Sequence, residues 1–249
     1  MESFLPDSIS FATALIFIVA SFFTSALTAS FGIGGGIALM ALMGTVLPVA
    51  SLIPVHGFVQ LGSNSGRAWH QRAYVIWPKL FPFMAGAVIG AIIGATTVIQ
   101  LPDRPMKLGL GIFILIVTWL KLPALGAMRK NWVALSGAFV AFLSMIFGAT
   151  GPLLASFFEK AFPDRKEMVA TVAVGNVVVH GLKVVAFAFA GFEFGDWLAL
   201  ILAMIISGYA GTISGTRLLH RIPEHCFRTG FKIVLSVLAL DMVSRGISP

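Results

Sequence analysis

The chain has 249 residues, of which 58% are apolar and only 11% are charged, and its mean hydropathy is +0.96. Because a soluble domain carries roughly 25% charged residues, this composition excludes an ordinary globular protein and predicts a membrane protein. The formal net charge of +7 does not indicate a nucleic-acid partner, since membrane proteins collect Lys and Arg in their cytoplasmic loops.

Glycine, proline and charged residues divide the sequence into ten apolar segments. Several approach or exceed the roughly 20 residues that cross a bilayer as a helix. The second and seventh are too short to span about 30 Å at a rise of 1.5 Å per residue, and each follows a glycine-rich break. We therefore predict an all-α multi-pass protein with roughly eight to ten spans, including short or re-entrant helices after the breaks. In chain order, the segments are 9–30, 35–47, 51–69, 76–100, 105–121, 132–147, 152–162, 168–190, 196–217 and 227–244.

The second half of the chain repeats the pattern of the first. Phe31-Gly-Ile-Gly-Gly-Gly36 matches Phe147-Gly-Ala-Thr-Gly-Pro152 at an offset of 147 − 31 = 116 residues. Five segments per half is an odd number, so the second copy enters the membrane from the opposite side. We therefore predict two inverted repeats, residues 1–122 and 123–249. Small residues spaced by four also match, at an offset of 207 − 86 = 121; they are Gly86, Gly90 and Gly94, with Ser207, Gly211 and Gly215.

The distribution of positive charge predicts the orientation. Alternate loops near 66–79, 121–130, 159–167 and 217–232 hold thirteen of the seventeen Lys and Arg residues. By the positive-inside rule these loops are cytoplasmic, and both termini then face outward.

The two glycine-rich breaks are candidates for a binding site. Unwound backbone at membrane depth must be buried in protein or line a cavity, and the free N–H groups at a helix N-terminus attract anions. Discontinuous helices at corresponding positions of inverted repeats indicate a transporter's site, whereas close packing or a plain hinge is the alternative interpretation. The candidate residues of the breaks are Gly34, Gly35, Gly36, Gly148, Thr150 and Gly151.

Two polar trios occupy matching segments, and their spacings of four and three place each trio on one helical face. Neither segment contains Asp or Glu, so a bound anion would supply the counter-ion that Lys183 lacks there. The alternatives are that Lys183 extends to the membrane interface and that Arg67 belongs to the nearby loop. The trios are Gln60, Asn64 and Arg67, and Asn176, His180 and Lys183.

Rival functions lack the residues that they need. Within transport the rival is a cation or neutral-solute carrier, and a cation carrier would use buried carboxylates. An enzyme acting on a lipid phosphate would need a general base or metal-binding acids near an intramembrane Arg. A scaffold would not need polar trios at matched depths. The sequence contains no phosphate-binding Gly-Lys loop, metal-spaced cluster or serine-nucleophile elbow. We therefore predict neither a metal site nor an enzyme.

The run Phe31-Gly-Ile-Gly-Gly-Gly36 and the polar run Asn64-Ser-Gly-Arg67, with Phe147-Gly148, Asn176 and Lys183 in the second half, resemble the sulfite exporter TauE/SafE family of bacterial permeases. The resemblance covers nearly the whole chain. It implies export of sulfite or a small organosulfonate across the inner membrane, without a cofactor. The implied partners are a small anionic substrate and the lipid bilayer, and the sequence is compatible with a homo-oligomer.

The second break departs from this family pattern, because Thr150-Gly151-Pro152 replaces a second full glycine run. We therefore expect the two halves of the site to be unequal. Another small anion, such as a carboxylate, is the alternative substrate.

Overall fold

The computed structural model describes residues 5–6, 9–31, 34–98, 102–120, 130–148, 151–159, 164–218 and 224–247. Over these ranges the chain forms ten α-helices and two single 3₁₀ turns, with no strand, so the all-α prediction is confirmed. One helix corresponds to each predicted segment. The helices are α1 (Phe11–Phe31), α2 (Gly35–Gly44), α3 (Val49–His70), α4 (Trp77–Val98), α5 (Asp103–Trp119), α6 (Lys130–Phe147), α7 (Gly151–Glu159), α8 (Arg165–Phe189), α9 (Leu198–Leu218) and α10 (Glu224–Ile247).

Among the described residues, four helices are long and apolar enough to cross a membrane, namely α1, α4, α8 and α9, and α2 and part of α6 are shorter apolar helices. Large apolar side chains cover the outside of the protein; Phe189 is 90% exposed and Ile206 is 69% exposed. Such a surface would drive aggregation in water, but it suits contact with lipid. The protein is therefore a multi-pass membrane protein, as the composition predicts.

Helix α4 packs along α6, and α1 packs along α9. A Cβ atom at Gly90 would overlap the carbonyl oxygen of Ala138, and a Cβ atom at Gly211 would overlap that of Phe22. Glycine therefore allows close backbone approach at both contacts, as it commonly does between helices in lipid.

The two contacts are equivalent in the repeat. Gly211 follows Gly90 by 211 − 90 = 121 residues, and Ala138 follows Phe22 by 138 − 22 = 116 residues, which are the two offsets found in the sequence. One turn further along, Gly94 faces the carbonyl of Phe142, and Gly215 faces that of Ala26 at the same offsets. This agreement supports the proposal that residues 1–122 and 123–249 are copies of one unit, and the inverted orientation stays a prediction.

Helices α3 and α8 lie against each other at the centre of the protein, and in the first turn of each a free backbone amide donates to an aspartate side chain. The first free amide of α3, on Val49, donates to Asp103 Oδ1 at 2.6 Å. At the start of α8, Asp164 Oδ1 accepts from the Lys166 amide at 2.7 Å. Such caps satisfy donors that a helix start leaves unpaired, and here they fix where the two central helices begin.

The predicted breaks separate α1 from α2 and α6 from α7. Gly34, before α2, has φ +105°, and Gly148, after α6, has φ +74°. Residues with a Cβ rarely adopt these angles, so both breaks need glycine. Thr150 of the predicted site lies outside the described residues, as do residues 32, 33 and 149.

Candidate substrate-binding site

The polar trio of α3 forms a chain of hydrogen bonds along one face of the helix. Asn64 Nδ2 donates to the Gln60 carbonyl at 2.8 Å and to Gln60 Oε1 at 3.3 Å. Arg67 Nη1 donates to Asn64 Oδ1 at 3.1 Å. The three side chains are buried. These hydrogen bonds therefore hold the guanidinium group of Arg67 inside the protein and away from the nearby loop.

Arg67 has spare capacity for hydrogen bonds. It is only 7% exposed, and its Nε has no partner within the described ranges. No described Asp or Glu side chain is buried. A buried guanidinium group without a carboxylate partner is costly, and an anion with two or more oxygens would offset that cost through charge-assisted hydrogen bonds.

Two members of the α8 trio face α3 from the other side. Asn176 and His180 are 7% and 3% exposed, and their Oδ1 and Nδ1 atoms have no hydrogen-bond partner in the part of the chain that the structure describes. The His180 ring lies 6.1 Å from the His56 ring, measured between centroids. Buried polar groups are normally paired, so these atoms indicate a position where a ligand or water binds.

Residues from both trios and both breaks line one cavity. It extends from the pair His56 and His180 to Arg67 in the last turn of α3. Of the predicted site residues, it brings together Gly34, Gly36, Gln60, Asn64, Arg67, Gly151, Asn176 and His180. Helices α1, α2, α3, α7 and α8 all contribute to its wall.

Glycine has three different roles in the first break. Gly34 and Gly36 line the cavity, and the Gly36 carbonyl also lies 2.8 Å from His56 Nε2. Gly35 points away from it, because a Cβ atom there would overlap the Thr24 carbonyl and the Thr28 side chain of α1. Gly35 therefore serves close packing, which was the alternative interpretation of the glycine run.

Lys183 and Gly148 are not among the lining residues, and in this respect the structure differs from the prediction. Lys183 is fully buried, and its ammonium group donates to the Gly148 carbonyl at 2.6 Å. The alternative in which Lys183 extends to the interface is wrong, because the side chain turns inward. Asn176 and His180 line the cavity, whereas Lys183, which helical spacing places on the same face of α8, does not.

Five of the described lining residues were not predicted as site residues: Thr28, Ile37, His56, Pro152 and Val172. Thr28 and the apolar residues carry no periodic polar signal that would distinguish them in the sequence. The sequence signal that could have identified His56 as a site residue is its position within an apolar segment. Within the described ranges, no group of three or more His, Cys, Asp or Glu residues is placed to hold a metal ion.

Comparison with known proteins identifies the family. The family model for the sulfite exporter TauE/SafE matches residues 17–242 of the chain. The chain is also similar to the probable inner membrane transporter protein TsaS of Comamonas testosteroni, with 27% identity over 68% of this chain and 72% of that protein. No solved structure matches. The chain is therefore a membrane transporter that belongs to the sulfite exporter TauE/SafE family.

Proposed function

We propose that this transporter binds a small sulfur oxyanion, sulfite or a short organosulfonate, in the cavity between α3 and α8 and exports it across the inner membrane. The observation that carries the proposal is the buried guanidinium group of Arg67, which lines the cavity without a carboxylate partner in the described part of the chain. The family match and the inner-membrane relative support the same function.

The arrangement of donors favours a headgroup with three oxygens. Arg67 approaches from α3, the Asn176 amide approaches from α8, and Gly151 begins α7. A planar carboxylate could use donors on two sides, whereas a sulfite or sulfonate group directs its oxygens toward three. The apolar side chains of Ile37 and Val172 also line the cavity, where they would contact a short hydrocarbon stem.

The charge distribution favours export. The cavity extends toward the end of α3, and the connection that follows contains Arg72 and leads to Lys79 in the first turn of α4. That loop is cytoplasmic by the positive-inside rule. The cavity would therefore receive its substrate from the cytoplasm.

Calorimetric titration of the purified protein with sulfite tests the proposal. Arg67→Met keeps much of the side-chain volume and removes the charge. We expect affinity to fall about 10- to 100-fold, since a hydrogen bond to a charged group contributes about 1.5–3 kcal/mol. The matched control is Arg72→Met, because Arg72 is exposed, does not line the cavity and stacks on Trp69.

Equal affinity in wild type and Arg67→Met would contradict the proposed site. A parallel titration with acetate and with methanesulfonate compares the two substrate classes. Tighter binding of acetate than of methanesulfonate would favour the alternative, a carboxylate carrier.

A further inference from the structure

Equivalent positions of the two halves line the cavity in pairs. The members of each pair differ by the offset that relates the two breaks, for example 172 − 56 = 116; the pairs are His56 and Val172, Gln60 and Asn176, and Asn64 and His180. Two of these pairs are polar in both halves. In the remaining pair an imidazole ring on α3 corresponds to an apolar side chain on α8, so His56 gives the cavity a polar group that the second half does not match.

The hydrogen bond between His56 and Gly36 fixes which ring nitrogen carries the proton. His56 Nε2 lies 2.8 Å from the Gly36 carbonyl oxygen, and Nε2 is the donor because a carbonyl oxygen only accepts. The Lys183 stem lies against Gly57, the next residue along α3, and no described Asp or Glu side chain is buried. A second cation beside Lys183 would therefore be costly, so the His56 ring is neutral and its Nδ1 atom is an acceptor.

Two hydrogen-bond acceptors of the cavity wall have no donor. His56 Nδ1 and Asn176 Oδ1 are buried and have no partner within the described ranges, and both residues line the cavity. Buried polar atoms are normally paired. The oxygens of a sulfonate group only accept, so they cannot supply the missing donor. These atoms therefore point to a donor elsewhere on the substrate.

The length of α3 between the two ends of the cavity indicates where that donor lies. Arg67 Nη1 is bonded to the Asn64 side chain, and Asn64 follows His56 by 64 − 56 = 8 residues, or about 12 Å of helix. A hydrogen bond of about 3 Å at either end leaves about 6 Å between the sulfonate group and the donor. A stem of roughly three carbons spans this distance, whereas sulfite would reach only the Arg67 end.

We propose that His56 selects a sulfonate whose stem ends in a hydroxyl group, which donates to His56 Nδ1 while the sulfonate group binds Arg67. An ammonium group could also donate. It would bring a further positive charge near Lys183, however, and no described Asp or Glu side chain is buried to balance it. A hydroxyl group provides the donor without that charge. This inference rests on the proposed function.

Three ligands of equal stem length test the inference by calorimetric titration of the purified protein. They are 3-hydroxypropane-1-sulfonate, propane-1-sulfonate and 3-aminopropane-1-sulfonate. We expect wild type to bind the hydroxyl ligand about five-fold more tightly than propane-1-sulfonate, or better, because only the hydroxyl ligand pairs the buried acceptor. The amino ligand should bind more weakly than the hydroxyl ligand. Equal affinity for the hydroxyl ligand and propane-1-sulfonate, or an amino ligand that binds at least as tightly as the hydroxyl ligand, would overturn the inference.

His56→Phe keeps a planar ring and removes the acceptor. The affinities for the hydroxyl ligand and propane-1-sulfonate should then agree within about two-fold, roughly the error of independent effects. The matched control is Val172→Ala at the equivalent position, which should shift both affinities together and preserve their ratio. A purely structural role of His56 would also weaken both ligands together, so an unchanged ratio in His56→Phe would assign the selectivity to another residue and overturn the role of His56.

The same titrations separate this inference from the proposed function. The comparison of ligands in wild type needs no variant, so it remains decisive if His56→Phe fails to insert. Binding of propane-1-sulfonate that weakens in Arg67→Met supports the anion site independently of the hydroxyl group. If wild type binds both ligands equally, the inference fails and the anion site stands. If it binds none of the three sulfonates, the proposed function and the inference fail together.

Discussion

The Lys183→Met variant gives the sharpest test of how the buried ammonium group affects stability. Removing a cation from an apolar helix removes an insertion cost of about 2.5–3.5 kcal/mol. The same change leaves the Gly148 carbonyl without its donor, at a cost of about 1.5–3 kcal/mol for a bond to a charged group. The two effects oppose each other, so we expect the free energy of unfolding to change by about 1–2 kcal/mol at most.

Thermal unfolding in detergent, followed by the fluorescence of the five tryptophans, measures this difference. For a chain of this size, 1 kcal/mol shifts Tm by about 2–4 °C, so the variant should unfold within several degrees of wild type. The comparison variant is Phe83→Ala. Phe83 is 0% exposed, and its truncation should cost about 3–5 kcal/mol. If Lys183→Met lowers Tm as much as Phe83→Ala, the reasoning is wrong and Lys183 is mainly structural.

Two further predictions concern packing and topology. Gly90→Ala and Gly211→Ala should each destabilise the protein by about 1–3 kcal/mol through overpacking against a facing carbonyl, whereas Gly230→Ala, with open space around it, should not. Thermal unfolding of the three variants measures these differences. Unequal effects of Gly90→Ala and Gly211→Ala would contradict the equivalence of the two contacts. In cells, an impermeant thiol reagent added outside should modify a cysteine at the exposed Glu193 and spare one at the exposed Ala73, because the positive-inside rule places the loop at 66–79 in the cytoplasm. The reverse labelling pattern would overturn the topology.

The sequence predicted the helices well because the membrane imposes a simple pattern. Long apolar runs and glycine-rich breaks follow from the thickness of the bilayer and from the need to satisfy the backbone. The small residues spaced by four, which match between the two halves, lie where helices approach closely. It did not identify the partners, and the structure adds that Gly90 meets Ala138 and Gly211 meets Phe22.

The candidate site was only partly predictable. Helical spacing places Asn176, His180 and Lys183 on one face, but it does not determine how far along that face a cavity extends. The inward turn of Lys183 depends on the Gly148 carbonyl of another helix end, a contact that spacing within α8 cannot reveal. Gly35 likewise faces α1 because of tertiary packing, although its neighbours line the cavity.

The most direct test of the central claim is a crystal structure of the protein with 2-bromoethanesulfonate, whose bromine can be located by anomalous scattering. The account predicts a bromine peak in the cavity between α3 and α8. The sulfonate oxygens should lie about 3 Å from the Arg67 guanidinium group and from the Asn176 amide, the usual range for charge-assisted hydrogen bonds. A peak only at surface lysines, or an empty cavity at saturating ligand, would contradict it.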